Sequence, residues 1–349
     1  MTLRGQVLHD RKDALHAGMN RYSWETLAVS KSIHVLHMGI PKPVLDRGVD
    51  AVFTSHRLPS GTDAAAIPLE VSAQIRAIAA GGGHDAIDAA LMNRLPKLEF
   101  IASFGVGYDH IDVREAARRG IAVAHTPGVL TDEVADLAIG LLLATIRRIP
   151  QADRFVRSNL WSKGAFPLSS TLRDRRVGIL GLGRIGKAIG RRLEGFDVSI
   201  SYCGRTQQPD VAYPYFSDIT AMAKHVDTLV IAAPGGPSTD RLIDGAVLVA
   251  LGANGVLVNV GRGNIVDEAA LTAALSNGTI LAAGLDVFEH EPAVPPALLA
   301  LDNVVVLPHI ASGSVHTRDA MAQLVVDNLT SWFDGSGPLS PVPETPWPK

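Results

Sequence analysis

The run RVGILGLGRIGKAIG at positions 176–190 constrains this chain more than any other stretch. An apolar, strand-like segment enters a loop reading G-x-G-x-x-G, Gly181 to Gly186, and a helix-like segment leaves it. That order is what a dinucleotide-binding turn between a strand and a helix requires. Gly181 would make the tight turn, Gly183 would let the backbone approach a pyrophosphate, and Gly186 would let helix and strand pack closely. Leu182, Arg184 and Ile185 complete the loop. The helix start behind it offers free N–H groups and the positive end of its dipole to an anion. The pattern alone is weak, since glycine turns without ligands are common. The strand before it and the helix after it favour the ligand.

The rest of the 349 residues keeps the same rhythm. IHVLHM (33–38), DAVFTS (50–55), QIRAIAA (74–80), LEFIASFG (98–105) and IAVAHTP (121–127) read as strands separated mostly by helical text. That alternation predicts an α/β fold with parallel sheets and helices on both faces. TDEVADLAIGLLLATIRRI (131–149) reads as a long helix. Thr131 or Asp132 would cap it, acids fill its first turn, Arg147 and Arg148 its last, and Pro150 stops it. A second alternation begins at Arg175. RRVGILG, DVSISYC, VDTLVIAA, GVLVNVG, LAAGLDV and NVVVLPH give six strands, enough for one doubly wound nucleotide domain. A last helix at 314–333 leads to GSGPLSPVPETPWPK, a Pro-rich tail expected to be extended or disordered.

A formal net charge of −3 gives no reason to expect nucleic acid or an anionic membrane as partner. The single cysteine, Cys203, has no internal disulfide partner, which suits a reducing, cytoplasmic setting. Residues 1–32 are polar and patternless, read as an extension, and lack the apolar core of a signal peptide. The longest apolar run, 137–146, is too short to span a bilayer.

ISYCGRTQQP (200–209) ends the second strand of the nucleotide unit. An acid there would accept from the ribose hydroxyls of NAD and repel a 2′-phosphate. This chain instead carries Gly204, Arg205 and Thr206. A small residue, a guanidinium and a hydroxyl suit the extra phosphate, so NADPH is expected over NADH. The plain alternative is an exposed loop arginine.

Three further segments deliver polar side chains to strand ends, where open α/β sheets bind ligands. NVGRGN places Arg262 between glycines, GLDVFEHEP places Asp286 with Glu289, His290 and Glu291 beyond it, and VLPHIAS places His309. Alone, the acidic run is more simply a solvated loop and His309 a structural histidine; Arg262 could be a surface arginine, but the glycines on either side argue for a tightly approached backbone and favour function. Together they suit hydride addition to a ketone. A histidine can give the proton, a carboxylate can favour its charged form, and an arginine can hold a carboxylate and polarise the carbonyl.

With GLGRIG, NVGRGNIVDEAAL, GLDVFEHEP and LPHIAS in that order, positions 33–333 resemble the D-isomer-specific 2-hydroxyacid dehydrogenases. FGVGYDHID, HTPGVLTDEVADLAIGLLLATIRR and YCGRT look most like the glyoxylate/hydroxypyruvate and hydroxyphenylpyruvate reductases of that family. The resemblance implies two doubly wound parallel-sheet domains. A Rossmann coenzyme domain (128–313) is inserted in a flavodoxin-like substrate domain (33–127 and 314–349). By motif the catalytic trio maps onto Arg262, Glu291 and His309, Glu291 being the acid directly before Pro292. Val106 and Gly107 match the loop whose N–H groups bind the substrate carboxylate, and Gly81 to Gly83 read as a close-approach loop. Asp286 matches the residue that orients the nicotinamide amide, and Pro234 and Val260 match its packing and backbone contacts. The helix from Thr131 and the arm after it match a homodimerisation element, with Trp161 on that arm. The resemblance thus implies reduction of a small 2-keto acid such as glyoxylate or hydroxypyruvate, without a metal. A relative with a bulkier substrate, or a nucleotide-sensing corepressor on the same scaffold, are the alternatives. Two departures stand out: His125 replaces a frequent Asn, and APGGPSTD (233–240) replaces text like CPLTPET.

Overall fold

The computed structural model describes residues 31–82, 85–345 and 347. Nearly all of the N-terminal extension, and Gly83 of the glycine-rich segment, lie outside the described residues. The chain divides into two compact units. One takes in the described residues of Met1–Val129 and Val315–Lys349, the other is Leu130–Ser314.

In the first unit β1 (His34–Gly39), β2 (Thr54–Pro59), β3 (Ile75–Ala80), β4 (Phe100–Ser103) and β5 (Ala122–Ala124) form a parallel sheet in the order β2-β1-β3-β4-β5. This is the flavodoxin-like order. Its inner strands are apolar on both faces: Ala77, Ile78 and Ala79 of β3 and Ile101 of β4 are fully buried. A parallel sheet covered by helices on both sides requires that.

The second unit holds β6 (Arg176–Leu180), β7 (Ser199–Cys203), β8 (Tyr215–Phe216), β9 (Thr228–Ile231), β10 (Val256–Asn259), β11 (Ala282–Leu285) and β12 (Val304–Val306). They lie parallel in the order β12-β11-β10-β9-β6-β7-β8, a doubly wound Rossmann sheet whose order reverses between β6 and β9. Seven strands replace the six read from sequence. The extra one, β8, has only two residues and follows Pro214, too little text for a period-2 signal.

Four sequence expectations need correction. In DAVFTS, Asp50 to Val52 end the helix Pro43–Val52, and the strand begins only at Thr54. Val49 and Val52 are buried three residues apart, a helical spacing whose last turn resembles a strand in one dimension. The helix Thr131–Ile146 has Leu130 at its N-cap with no side-chain bond, so neither Thr131 nor Asp132 caps it. Pro150 does not merely stop that helix; it opens the next, Ile149–Arg157. Its fixed φ suits a first helical turn. Of the two expectations for the Pro-rich tail, its described residues take the extended one, and only the disordered alternative falls. Val342 N–H donates to the Val123 carbonyl at 2.9 Å, Val123 N–H to Thr345 Oγ1 at 2.9 Å, and both tail side chains are buried. The tail thereby satisfies the polar groups of β5, an edge strand otherwise open to pairing.

Candidate active site

The second unit carries most of the expected residues, on the loops and helix starts that follow strand ends. After β6 the chain turns at Gly181 (φ 89°), where an added Cβ would meet the Ala233 backbone at 2.6 Å. Gly186 sits against the Gly181 carbonyl oxygen, with no room for a side chain between. The helix Arg184–Glu194 starts at Gly183, which has no capping side chain and open space where a Cβ would stand. Leu182 is buried, Arg184 is exposed and Ile185 is half-buried. A turn that only glycine allows, an uncapped helix start and free space before it fit a dinucleotide pyrophosphate.

At the end of β7, Gly204 has open space around its missing side chain, and Arg205 and Thr206 are exposed. Arg205 makes no hydrogen bond or ion pair among the described residues. Pro234 follows β9 and is exposed; its carbonyl accepts from Thr239 Oγ1 at 2.9 Å. Val260 follows β10, is buried, and donates its N–H to the Ile231 carbonyl at 3.1 Å.

Arg262 stands on the turn after β10. Asn259, buried in the strand end, donates from Nδ2 to the Arg262 carbonyl at 2.9 Å and accepts from Gly261 N–H at 3.0 Å. The Arg262 guanidinium donates to the Gly261 carbonyl at 2.8 Å. Gly263 touches the backbone of Phe288 and Glu289 so closely that any Cβ would overlap it. The Arg262 turn is thereby packed onto the segment that carries Glu291.

His309 and Glu291 meet directly: Nδ1 lies 2.7 Å from Glu291 Oε2. The other carboxylate oxygen accepts from Phe288 N–H at 3.1 Å. His309 is 44% exposed and Glu291 12%, so the far ring nitrogen can reach a ligand while the carboxylate stays sheltered. His309 holds φ 53°, an uncommon left-handed value for a non-glycine residue. Asp286 explains how. Its carbonyl accepts from His309 N–H at 2.9 Å, and its carboxylate accepts from Ile310 and Ala311 N–H, each at 2.8 Å. Asp286 has no exposed surface; burial pushes its carboxyl up from the ordinary range, and the two N–H groups oppose that. The geometry of Asp286 is that of a brace for the His309 turn, with both oxygens already engaged.

Glu289 faces elsewhere. It pairs with Arg241 at 2.8 Å, and its N–H is held by the buried Glu268 at 2.7 Å. That leaves Glu291 as the acid at the histidine. Sequence reasoning missed Asn259, while the close backbone approach read from the glycines around Arg262 is present at Gly263. The available signal was a polar Asn ending an otherwise apolar strand.

In the first unit, the loop after β4 presents half-buried Val106 and Gly107. Gly105 N–H donates to Thr126 Oγ1 at 2.9 Å, Thr126 N–H returns to the Gly105 carbonyl at 2.8 Å, and His125 Nδ1 donates to the Val106 carbonyl at 2.8 Å. The unusual His125 thus pins the backbone of this loop. Gly81 approaches the backbone of Ile40 and Met38, with an added Cβ 2.9 Å from the Ile40 carbonyl. Trp161 lies on a short turn after the helix Ile149–Arg157 and is 69% exposed.

A Rossmann sheet, a phosphate-type glycine loop and an Arg/Glu/His set on adjoining strand ends define an NAD(P)-binding oxidoreductase of 2-hydroxy acids. Residues 139–311 match the family model described as the NAD-binding domain of D-isomer specific 2-hydroxyacid dehydrogenases. The chain belongs to that family. Hydroxyphenylpyruvate reductase from Plectranthus scutellarioides is 45% identical over 315 residues, covering 89% of this chain and 99% of that one. Glyoxylate/hydroxypyruvate reductase A from Arabidopsis thaliana is 50% identical over 268 residues, covering 77% and 85%. Among solved structures, an NADPH-dependent glyoxylate/hydroxypyruvate reductase from Sinorhizobium meliloti, in complex with NADP and malonate, matches with TM-score 0.87 and 50% identity. That match covers 91% of this chain and 99% of the other.

Proposed function

We propose that this protein is an NADPH-dependent reductase of small 2-keto acids, glyoxylate or hydroxypyruvate, yielding glycolate or D-glycerate. The observation that carries the reading is the His309–Glu291 contact at 2.7 Å, on the strand-end row that also bears Arg262 and the glycine loop. The relatives with reductase names and the NADP-bound neighbour support it.

NADPH, when bound, supplies the hydride that reaches the carbonyl carbon. The glycine loop Gly181–Gly186 would hold its pyrophosphate and Gly204, Arg205 and Thr206 its 2′-phosphate, while Pro234 and Val260 would border the nicotinamide beside the turn that Asp286 braces. Arg262 binds the substrate carboxylate and polarises the ketone with its planar fork. The family resemblance gives the N–H groups of Val106 and Gly107, in the first unit, as further carboxylate donors. Protonated His309 gives its Nε2 proton to the oxygen as negative charge builds there. Glu291 accepts from Nδ1–H, which fixes the ring's orientation and leaves Nε2 to face the substrate. One hydride and one proton convert the ketone to an alcohol, and solvent reprotonates the partly exposed ring.

The protein acts as a homodimer in a reducing, cytoplasmic setting. The exposed apolar side chains of Leu160, Trp161 and Leu168 support the first part, and the single buried cysteine the second. No helix among the described residues is long and apolar enough to cross a membrane. The testing experiment is turnover: purified protein should consume NADPH when glyoxylate or hydroxypyruvate is added. Absence of turnover across a series of 2-keto acids would remove the enzymatic reading. A bulkier physiological substrate is the second reading, favoured by the likeness to the hydroxyphenylpyruvate reductase. Rising kcat/KM with side-chain size in the same series would select it.

A further inference from the structure

The loop after β7 is held at three points. Tyr215 Oη donates to the Gly204 carbonyl at 3.1 Å. Gln208 N–H donates to Tyr202 Oη at 2.8 Å. Gln208 Nε2 donates to the Leu182 carbonyl at 2.8 Å. Tyr202 and Tyr215 are register partners across β7 and β8, with ring centroids 5.3 Å apart. The two-residue strand β8 therefore has a use: it brings Tyr215 beside Tyr202, so that the two hydroxyls grip the two ends of the segment Gly204–Gln208. Arg205 and Thr206 lie between those grips and stay exposed. The third bond joins this segment to Leu182, the residue between the first two glycines of the phosphate loop.

We infer that Gln208 is a positioning residue that sets the spacing between the 2′-phosphate subsite and the pyrophosphate loop. The inference rests on the NADPH reading above. A ligand carrying both phosphate groups gains from two subsites held at the right separation, because the second contact forms within an already bound molecule. A loop ordered before binding also loses less freedom on binding. A ligand with one phosphate group gains nothing from the spacing. Gln208 touches neither phosphate in this arrangement; it acts through the backbone of Leu182 and through the segment that carries Arg205.

The test is calorimetric binding of 2′-phospho-ADP-ribose, ADP-ribose, ADP and 2′-AMP to the full chain and to Gln208→Leu. Leucine keeps the side chain's bulk and cannot donate to the Leu182 carbonyl. With one net hydrogen bond lost from the tether, affinity for 2′-phospho-ADP-ribose should fall about five- to tenfold. ADP-ribose, ADP and 2′-AMP should each stay within about twofold. Tyr215→Phe, which releases the Gly204 grip without touching the phosphate loop, should give the same pattern. Equal losses for all four ligands, or no loss for any, would overturn the positioning role. Failure of the NADPH reading itself is a separate result: wild-type protein would bind 2′-phospho-ADP-ribose no more tightly than ADP-ribose.

Discussion

Residue by residue, the proposed chemistry rests on His309, which Glu291 contacts, and on Arg205, exposed at the end of β7. His309→Ala should depress turnover by about two to four orders of magnitude and leave cofactor affinity nearly unchanged, read by steady-state kinetics beside nucleotide titration. Glu291→Gln removes the carboxylate that accepts from Nδ1 and orients the ring, and should lower kcat by about ten- to a hundredfold with nucleotide affinity unchanged. An unchanged kcat would detach Glu291 from the histidine. Arg205→Ala removes a charge-assisted bond to phosphate and should weaken NADPH by about ten- to a hundredfold while sparing NADH. Equal weakening of both would place the arginine elsewhere. These residues were legible because each stands in a short motif of fixed spacing. Asn259, His125 and Gln208 were not. Each acts by holding a backbone carbonyl that is distant in sequence or set by a turn, and one-dimensional text does not say where a carbonyl points.

Among the elements, the turns between strand and helix carry the precision. Gly263 is the clearest case, since the Phe288–Glu289 backbone occupies the place of its missing Cβ. Gly263→Ala must push the Arg262 turn away from the segment bearing Glu291. Nucleotide affinity should persist, because the glycine loop after β6 is untouched, while kcat/KM for the keto acid should fall by about a hundredfold, as a misplacement near 1 Å can cost. Loss of nucleotide binding together with activity would mean that the substitution unfolds the unit instead. The strands of the second unit were easily read, since parallel strands buried on both faces give continuous apolar runs. The elements misread were those whose ends depend on tertiary contacts. The last turn of the helix Pro43–Val52 looks like a strand until Val49 and Val52 are seen facing the core. The tail is held by the open edge of β5 and by the last helix, where Asn328 Oδ1 accepts from Leu339 and Ser340 N–H.

For the whole molecule, association and stability are questions of exposed apolar surface and buried charge. Leu168 is fully exposed and Trp161 69% exposed, with Leu160 and Val156 beside them in sequence. Sedimentation should give the mass of two chains, and Leu168→Asp combined with Trp161→Ser should shift it toward one; a wild-type monomer would remove the dimer. His37 contributes to the acid sensitivity of the first unit. It is 3% exposed, and burial, with Arg57 beside it, lowers its pKa from 6.5 to about 4, against the pull of Asp46 and Asp50. Arg57 donates to its Nδ1 at 2.5 Å, an arrangement that needs the neutral ring. The unfolded chain takes up this proton near pH 6.5 and the folded chain only near 4, so folding is favoured above 6.5 and loses ground as pH falls. The loss should amount to about 3 kcal/mol between those limits, with no further contribution from this group below them. His37→Gln keeps an acceptor for Arg57 but does not titrate. Hydrogen exchange of the β1 and β3 amides, measured from pH 7 to pH 4, should therefore show a flatter decline of opening free energy in the variant than in the wild type. Parallel declines would mean that His37 is already protonated in the folded chain, and that another group carries the acid sensitivity of this unit.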